Sequence, residues 1–146
     1  MERKIINDSF SLSGVVSLAD LVTLKKQGID VIINSRIDGE SSEQISSHDY
    51  QQTAESLGMR YVFIPVKSLE YPSTAINRFD TAISNPALKV HGFCRSGTRI
   101  VHLWALAQAG KRQIKDIVAD SAKIGFDLTP IMAQLNLLTT AETNIH

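Results

Sequence analysis

Leu88-Lys-Val-His-Gly-Phe-Cys-Arg-Ser-Gly-Thr-Arg-Ile-Val-His-Leu-Trp-Ala-Leu-Ala-Gln-Ala109 changes character once, at its polar centre. Leu88 to Phe93 is short and bounded by turn residues, and it reads as a strand that leads directly into Cys94. Thr98 to Ala109 is apolar almost all round, the pattern of a central, largely buried helix. Cys94-Arg-Ser-Gly97 lies between them, where open α/β sheets place their ligand sites.

Moving outward, Ser17 to Gly28 predicts a helix capped by Ser17 and stopped by Gly28. Ile29–Asn34 is a β-branched run suited to a buried strand. The serine-rich stretch 35–47 predicts a surface loop, and His48–Leu57 a modest helix ending at Gly58. Arg60–Val66 predicts a second strand, with Pro65 placing its far end outside central pairing. Ser73 can cap a helix to about Ser84, with Ile76, Phe79, Ala82 and Ile83 on its inner face. Lys111 to Ile124 predicts another helix, and Thr129-Pro130 opens a last one through Leu138. Strands alternating with helices imply an α/β fold: a small, mostly parallel central sheet flanked by helices on both faces.

Length and composition narrow the function. A chain of 146 residues suits one domain, residues 1–146. Fifteen Lys+Arg against fifteen Asp+Glu argue against a nucleic-acid partner, which calls for basic excess. One cysteine cannot form an internal disulfide, and no Cys/His cluster has zinc spacing, so neither metal nor other cofactor is expected. The N-terminus lacks the apolar core of a signal peptide, and no 18 apolar residues run together. A cytoplasmic protein with no membrane partner is the resulting expectation.

The chemistry centres on Cys94. A loop entering a helix N-terminus aims free backbone N–H groups and the positive helix end into one concavity, which favours an anion. Gly97 lets the backbone turn, and Arg99 offers a planar fork for two oxygens at once. A thiol in that cradle is favoured as thiolate, the form that attacks phosphorus or sulfur. Cys94 is therefore the expected nucleophile and Arg99 the binder of the transferred group. Arg95, Ser96, Gly97 and Thr98 supply the remaining oxyanion and substrate contacts, with a Ser96 or Thr98 hydroxyl available to the leaving sulfur.

The runs INSRIDGESSE (33–43), LGMRYVFIPV (57–66) and VHGFCRSGTR (90–99) resemble one family. It is the phosphatase-like domain found alone in bacteria or fused in beta-lactamase-hydrolase-like proteins. The resemblance covers about residues 10–135. It implies the dual-specificity, tyrosine-phosphatase-like fold, a Cys94 nucleophile and Arg99 as the oxyanion-binding arginine. Two departures stand beside it. Tyrosine-phosphatase loops hold five residues between cysteine and arginine; here four separate Cys94 from Arg99, as in the rhodanese sulfurtransferases. Related phosphatases also supply an aspartate as general acid after the strand that reads YVFIPV here. Lys67 and Ser68 occupy that neighbourhood, and Glu70 is the nearby carboxylate available as a possible general acid.

Three functions follow. The first is a cysteine-dependent phosphatase that hydrolyses a small-molecule or phosphoprotein ester through a Cys94 phosphocysteine. The second is a sulfurtransferase that passes sulfane sulfur from a Cys94 persulfide to an acceptor. The third is a non-catalytic anion- or phosphopeptide-binding module. Arg36 and Glu40 flank the end of the first predicted strand and read as a solvated loop pair, the alternative being substrate contact. His91 and His102 read as hydrogen-bonded structural residues, Trp104 as core packing, and Asp80 as part of a solvated helix face.

Overall fold

Five short strands form one sheet in the order β1-β2-β5-β3-β4, in a computed structural model that describes residues 1–145, with side chains through residue 141. The strands are β1 (Lys4–Asn7), β2 (Phe10–Ser13), β3 (Val31–Asn34), β4 (Arg60–Phe63) and β5 (Val90–Phe93). β1 and β2 pair antiparallel, and β2, β5, β3 and β4 run parallel. The helices are α1 (Leu18–Lys26), α2 (Ser47–Ser56), α3 (Ser73–Ala82), α4 (Thr98–Ala107), α5 (Ile114–Lys123) and α6 (Met132–Ile145). The mostly parallel α/β architecture is the one the sequence predicts.

Alternation along the strands sends successive side chains to opposite faces. Val31, Ile33 and Val90 join a large core with Phe79 of α3, Trp104 of α4, Ile117 of α5 and Leu135 of α6. Ile32 and Phe93 point the other way, into a smaller core with Leu21 and Leu24 of α1 and with Tyr50 and Ala54 of α2. Helices thus cover both faces. α4 is buried at every position from Arg99 to Ala107, which accounts for its all-round apolar sequence.

Several boundaries move. β1 and β2 have no counterpart in the sequence reading: they are as long as the other strands, but their Lys, Asn and Ser residues flank a turn and read as loop. Ser17 caps α1 as expected, in a reciprocal capping box with Asp20. Ser73 does not cap α3: Pro72 holds the cap position and Ser73 is the first helical residue. Thr129-Pro130 opens a single 3-10 turn, Thr129–Ile131, and α6 continues beyond Leu138 to Ile145. No helix among the described residues is long and apolar enough to cross a membrane, and these residues contain no cluster of three potential metal ligands.

Candidate active site

Parallel pairing sets the site before any side chain is considered. Ser13 pairs with Phe93, Phe93 with Asn34, and Asn34 with Phe63, so four strands end level. The segments leaving those ends begin at Gly14, Ser35, Ile64 and Cys94 and share one edge of the sheet, the carboxyl edge where open α/β folds bind ligands. β5 runs straight into the loop Cys94–Gly97, and α4 starts at Thr98.

Gly97 makes that turn possible. Its φ is +92°, a conformation L-residues rarely adopt, and it occupies the N-cap of α4 without a side-chain cap. A Cβ here would stand 3.0 Å from Leu12 Cδ1 and 3.2 Å from Phe126 Cζ. The loop is also pressed from behind: a Cβ on Gly14 would come within 2.9 Å of the Arg95 carbonyl oxygen. Gly14 is a supporting residue that the sequence reading missed, since only the β2–β5 pairing reveals the close approach.

Cys94 is 1% exposed and lies beneath the loop. Its Sγ accepts a hydrogen bond from the Gly97 N–H at 3.2 Å. Ser96 and Thr98 hydroxyls bond each other at 2.9 Å, so the contact to sulfur comes from backbone rather than from either hydroxyl. Arg95 and Ser96 are exposed. Above the loop opens a cavity of about 460 Å³ lined by Glu40, Lys67, Ser68, Arg95, Thr98 and Arg99, among others.

Arg99 is held from three directions. Nη1 donates to the carbonyls of Ser35 at 3.3 Å and Val66 at 2.9 Å and to Glu40 Oε1 at 2.9 Å. Nη2 donates to Glu40 Oε2 at 2.8 Å. This two-pronged pairing fixes the plane of the guanidinium. The Glu40 hydrogen bond, opposed by burial and aided by attraction to Cys94, raises the Arg99 pKa. The same bond holds the Glu40 carboxyl below its ordinary range.

The reading of Arg36 and Glu40 as a solvated pair is therefore corrected. Arg36 is buried at 4% exposure, and Glu40 is the anchor of Arg99. The loop that carries them is cross-tied. Glu40 Oε1 also accepts from the Ile37 N–H, Gln44 spans to Ser41 and Ile37, and Asp38 accepts from the Ser47 N–H. Its polar residues bond each other, and composition alone cannot tell such a loop from a solvated one.

Glu70 ends a tight turn that starts at Lys67, with Leu69 at φ +65°. It is exposed and is not among the residues lining the cavity, whereas Lys67 and Ser68 are. His91 bonds Ser11 through Nδ1 and Ser13 through Nε2, and His102 Nδ1 bonds the Tyr71 hydroxyl, so both are hydrogen-bonded in the interior. Trp104 is 1% exposed in the core. Asp80 is partly exposed and pairs with Lys111.

This geometry has close counterparts. Residues 2–111 match the family described as beta-lactamase hydrolase-like protein, phosphatase-like domain. That span includes both missed strands and stops before α5. The chain is 34% identical over 130 residues to a beta-lactamase hydrolase-like protein of Agrobacterium fabrum, covering 88% of this chain and 30% of that protein. A relative from Xylella fastidiosa is 31% identical over 125 residues, covering 84% and 29%. The chain thus spans less than a third of the length of these relatives. Among solved structures, a candidate phosphatase from Neisseria meningitidis superposes with a TM-score of 0.80 at 23% identity, covering 92% of this chain and 96% of that one. PTPMT1 superposes at 0.78 with 13% identity, covering 99% and 98%. The fold is that of the tyrosine phosphatases. With three-quarters of its length matched by one family model, the chain belongs to the phosphatase-like domain family of the beta-lactamase hydrolase-like proteins.

Proposed function

We propose that the chain hydrolyses a phosphate ester or anhydride through a phosphocysteine on Cys94. The observation that carries this reading is the buried sulfur under the start of α4, hydrogen-bonded by Gly97 N–H, with Arg99 clamped by Glu40 beside it. The Cys94 thiolate attacks phosphorus as the bond from phosphorus to the leaving oxygen breaks. The amides of the 95–99 segment and the Arg99 guanidinium stabilise the equatorial oxygens. Water then attacks the thiophosphate, releases inorganic phosphate and restores the thiolate.

Among the described residues that line the cavity, no carboxyl stands ready to protonate the leaving oxygen. Among the described residues lining the cavity the carboxylate is Glu40, and its bonds to Arg99 keep it ionised. Lys67 and Ser68 stand at the mouth instead. The chemistry therefore suits leaving groups stable as anions, such as aryl oxides or phosphates, over alkoxides.

A second reading has its own support. The four-residue spacing from Cys94 to Arg99 suits sulfur transfer, and so does a cavity whose one carboxyl among the described lining residues, Glu40, is held ionised by Arg99. Cys94 thiolate takes the outer sulfur of thiosulfate, sulfite leaves, and the persulfide passes that sulfur to an acceptor.

Aryl phosphate turnover tests the first reading, and thiocyanate formation from thiosulfate and cyanide tests the second, each beside Cys94→Ser and Arg99→Ala. The expected result is aryl phosphate turnover lost in both variants, with intact mass showing a phosphoryl adduct on the wild-type chain. Thiocyanate formation alone selects the second reading. Phosphate binding without either turnover selects an anion-binding module.

A further inference from the structure

Arg36 is an unusual residue to bury. Its Nη2 donates to Ser41 Oγ at 3.0 Å, but its buried Nε has no hydrogen-bond partner. The nearest carboxylate oxygen, Glu40 Oε2, lies 3.7 Å from that Nε and is already taken by Arg99 at 2.8 Å. Burying a guanidinium is costly unless its donors and charge are met. Glu40 is thus shared by two arginines and bonds Arg99 more closely, which leaves the buried Arg36 Nε with donor capacity to spare.

The same side chain lines a second cavity of about 300 Å³, together with Ser41, Gln44, Tyr50 and Arg95. Arg95 lines this cavity and the one above Cys94, so the two adjoin across its side chain. Glu43 also borders the second cavity and is exposed. The lining carries two arginines against one exposed carboxylate, and serine and glutamine groups add neutral donors. Arg36 and Arg99 both reach the same Glu40 oxygen, so their guanidinium groups are immediate neighbours.

We propose that the cavity between Arg36 and Arg95 is a second anion subsite, and that the substrate carries two oxyanion groups. One enters the Cys94–Arg99 cradle and the other lies against Arg36. The ligand class is a compact bis-anion: a phosphate compound bearing a second phosphate, sulfonate or carboxylate close to the first. This rests on the phosphohydrolase reading for the reaction, though the binding step does not depend on turnover.

Calorimetry on Cys94→Ser, which cannot form the covalent adduct, separates the two. The probes are inorganic phosphate, methylenebisphosphonate and propane-1,3-bisphosphonate. At least one bisphosphonate is expected to bind tenfold or more tightly than phosphate. Adding Arg36→Gln, or in a separate variant the exposed Arg95→Gln, removes most of that advantage. Adding Lys67→Gln, which deletes a charge from the first cavity only, leaves the advantage largely intact. The proposal is overturned if neither bisphosphonate gains over phosphate, if the gain survives both arginine changes, or if Lys67→Gln erases it equally. Arg95→Gln keeps the test decisive should Arg36→Gln fail to fold. Loss of aryl phosphate turnover in the wild type with the arginine-dependent gain intact would reject the hydrolase reading and retain the subsite.

Discussion

Glu40 lies 59 residues before Arg99, yet both of its oxygens bond that side chain. A long arginine free to choose among rotamers would lose entropy on meeting substrate, and the carboxylate fixes its plane in advance. Glu40 is therefore a positioning residue: it acts on the reacting group through Arg99. Glu40→Gln keeps the shape and removes the charge. Charge-assisted hydrogen bonds contribute about 1.5–3 kcal/mol, so kcat/KM on an aryl phosphate should fall roughly ten- to hundredfold. The inhibition constant for inorganic phosphate should weaken in parallel, and the urea midpoint should fall too, because the carboxylate also meets the charge of the buried guanidinium. Unchanged phosphate inhibition would remove Glu40 from this role.

At the scale of elements, the catalytic loop is a strand-to-helix junction whose shape depends on one residue. Gly97 sits at φ +92° and is packed against Leu12 and Phe126. Gly97→Ala adds backbone strain of about 1–2 kcal/mol together with those contacts. The loop should yield before the sheet does, because Cys94 and the start of α4 are linked only through it. The expected outcome is a modestly lower thermal midpoint with a loss of phosphate binding larger than the stability change explains. Phosphate titration beside thermal melts checks this, and unaltered binding would mean the loop tolerates the change.

The whole molecule places two sets of polar groups differently with respect to pH. His91 lies between Ser11 and Ser13 on the face covered by α1 and α2, and burial, with a smaller push from Arg3, lowers its pKa to about 3. Burial also lowers the pKa of His102. Both folded-state values lie below the ordinary 6.5, so below that pH the unfolded chain takes up protons that the folded chain refuses. Stability is full above about pH 6.5 and declines as pH falls, by up to about 1.4 kcal/mol per unit for each histidine. Glu40 behaves differently in range: its depressed pKa gives stability present above its ordinary 4.5 and lost only as pH falls further. Urea unfolding between pH 7.5 and 5 therefore isolates the histidines. His91→Gln should remove part of the slope, and a flat profile in the unaltered protein would contradict the burial argument.

Local pattern sufficed for much of this protein. A strand meeting an all-apolar helix at Cys-Arg-Ser-Gly-Thr-Arg identified the α/β layout, the nucleophile candidate and its arginine, because those signals lie within one turn of chain. The Ser17 cap and the buried α4 were legible for the same reason. What lay hidden depends on contacts across the sheet. β1 and β2 carry serine, lysine and asparagine that read as loop, and they are defined by their partners. The support of Gly14 behind the loop, the clamp of Glu40 on Arg99 and the half-met charge of Arg36 arise where parallel strands end level and bring distant loops together. Periodicity and capping are read within a few residues, but pairing a charge, and so deciding whether a polar loop faces water or the active site, is settled only by what folding places beside it.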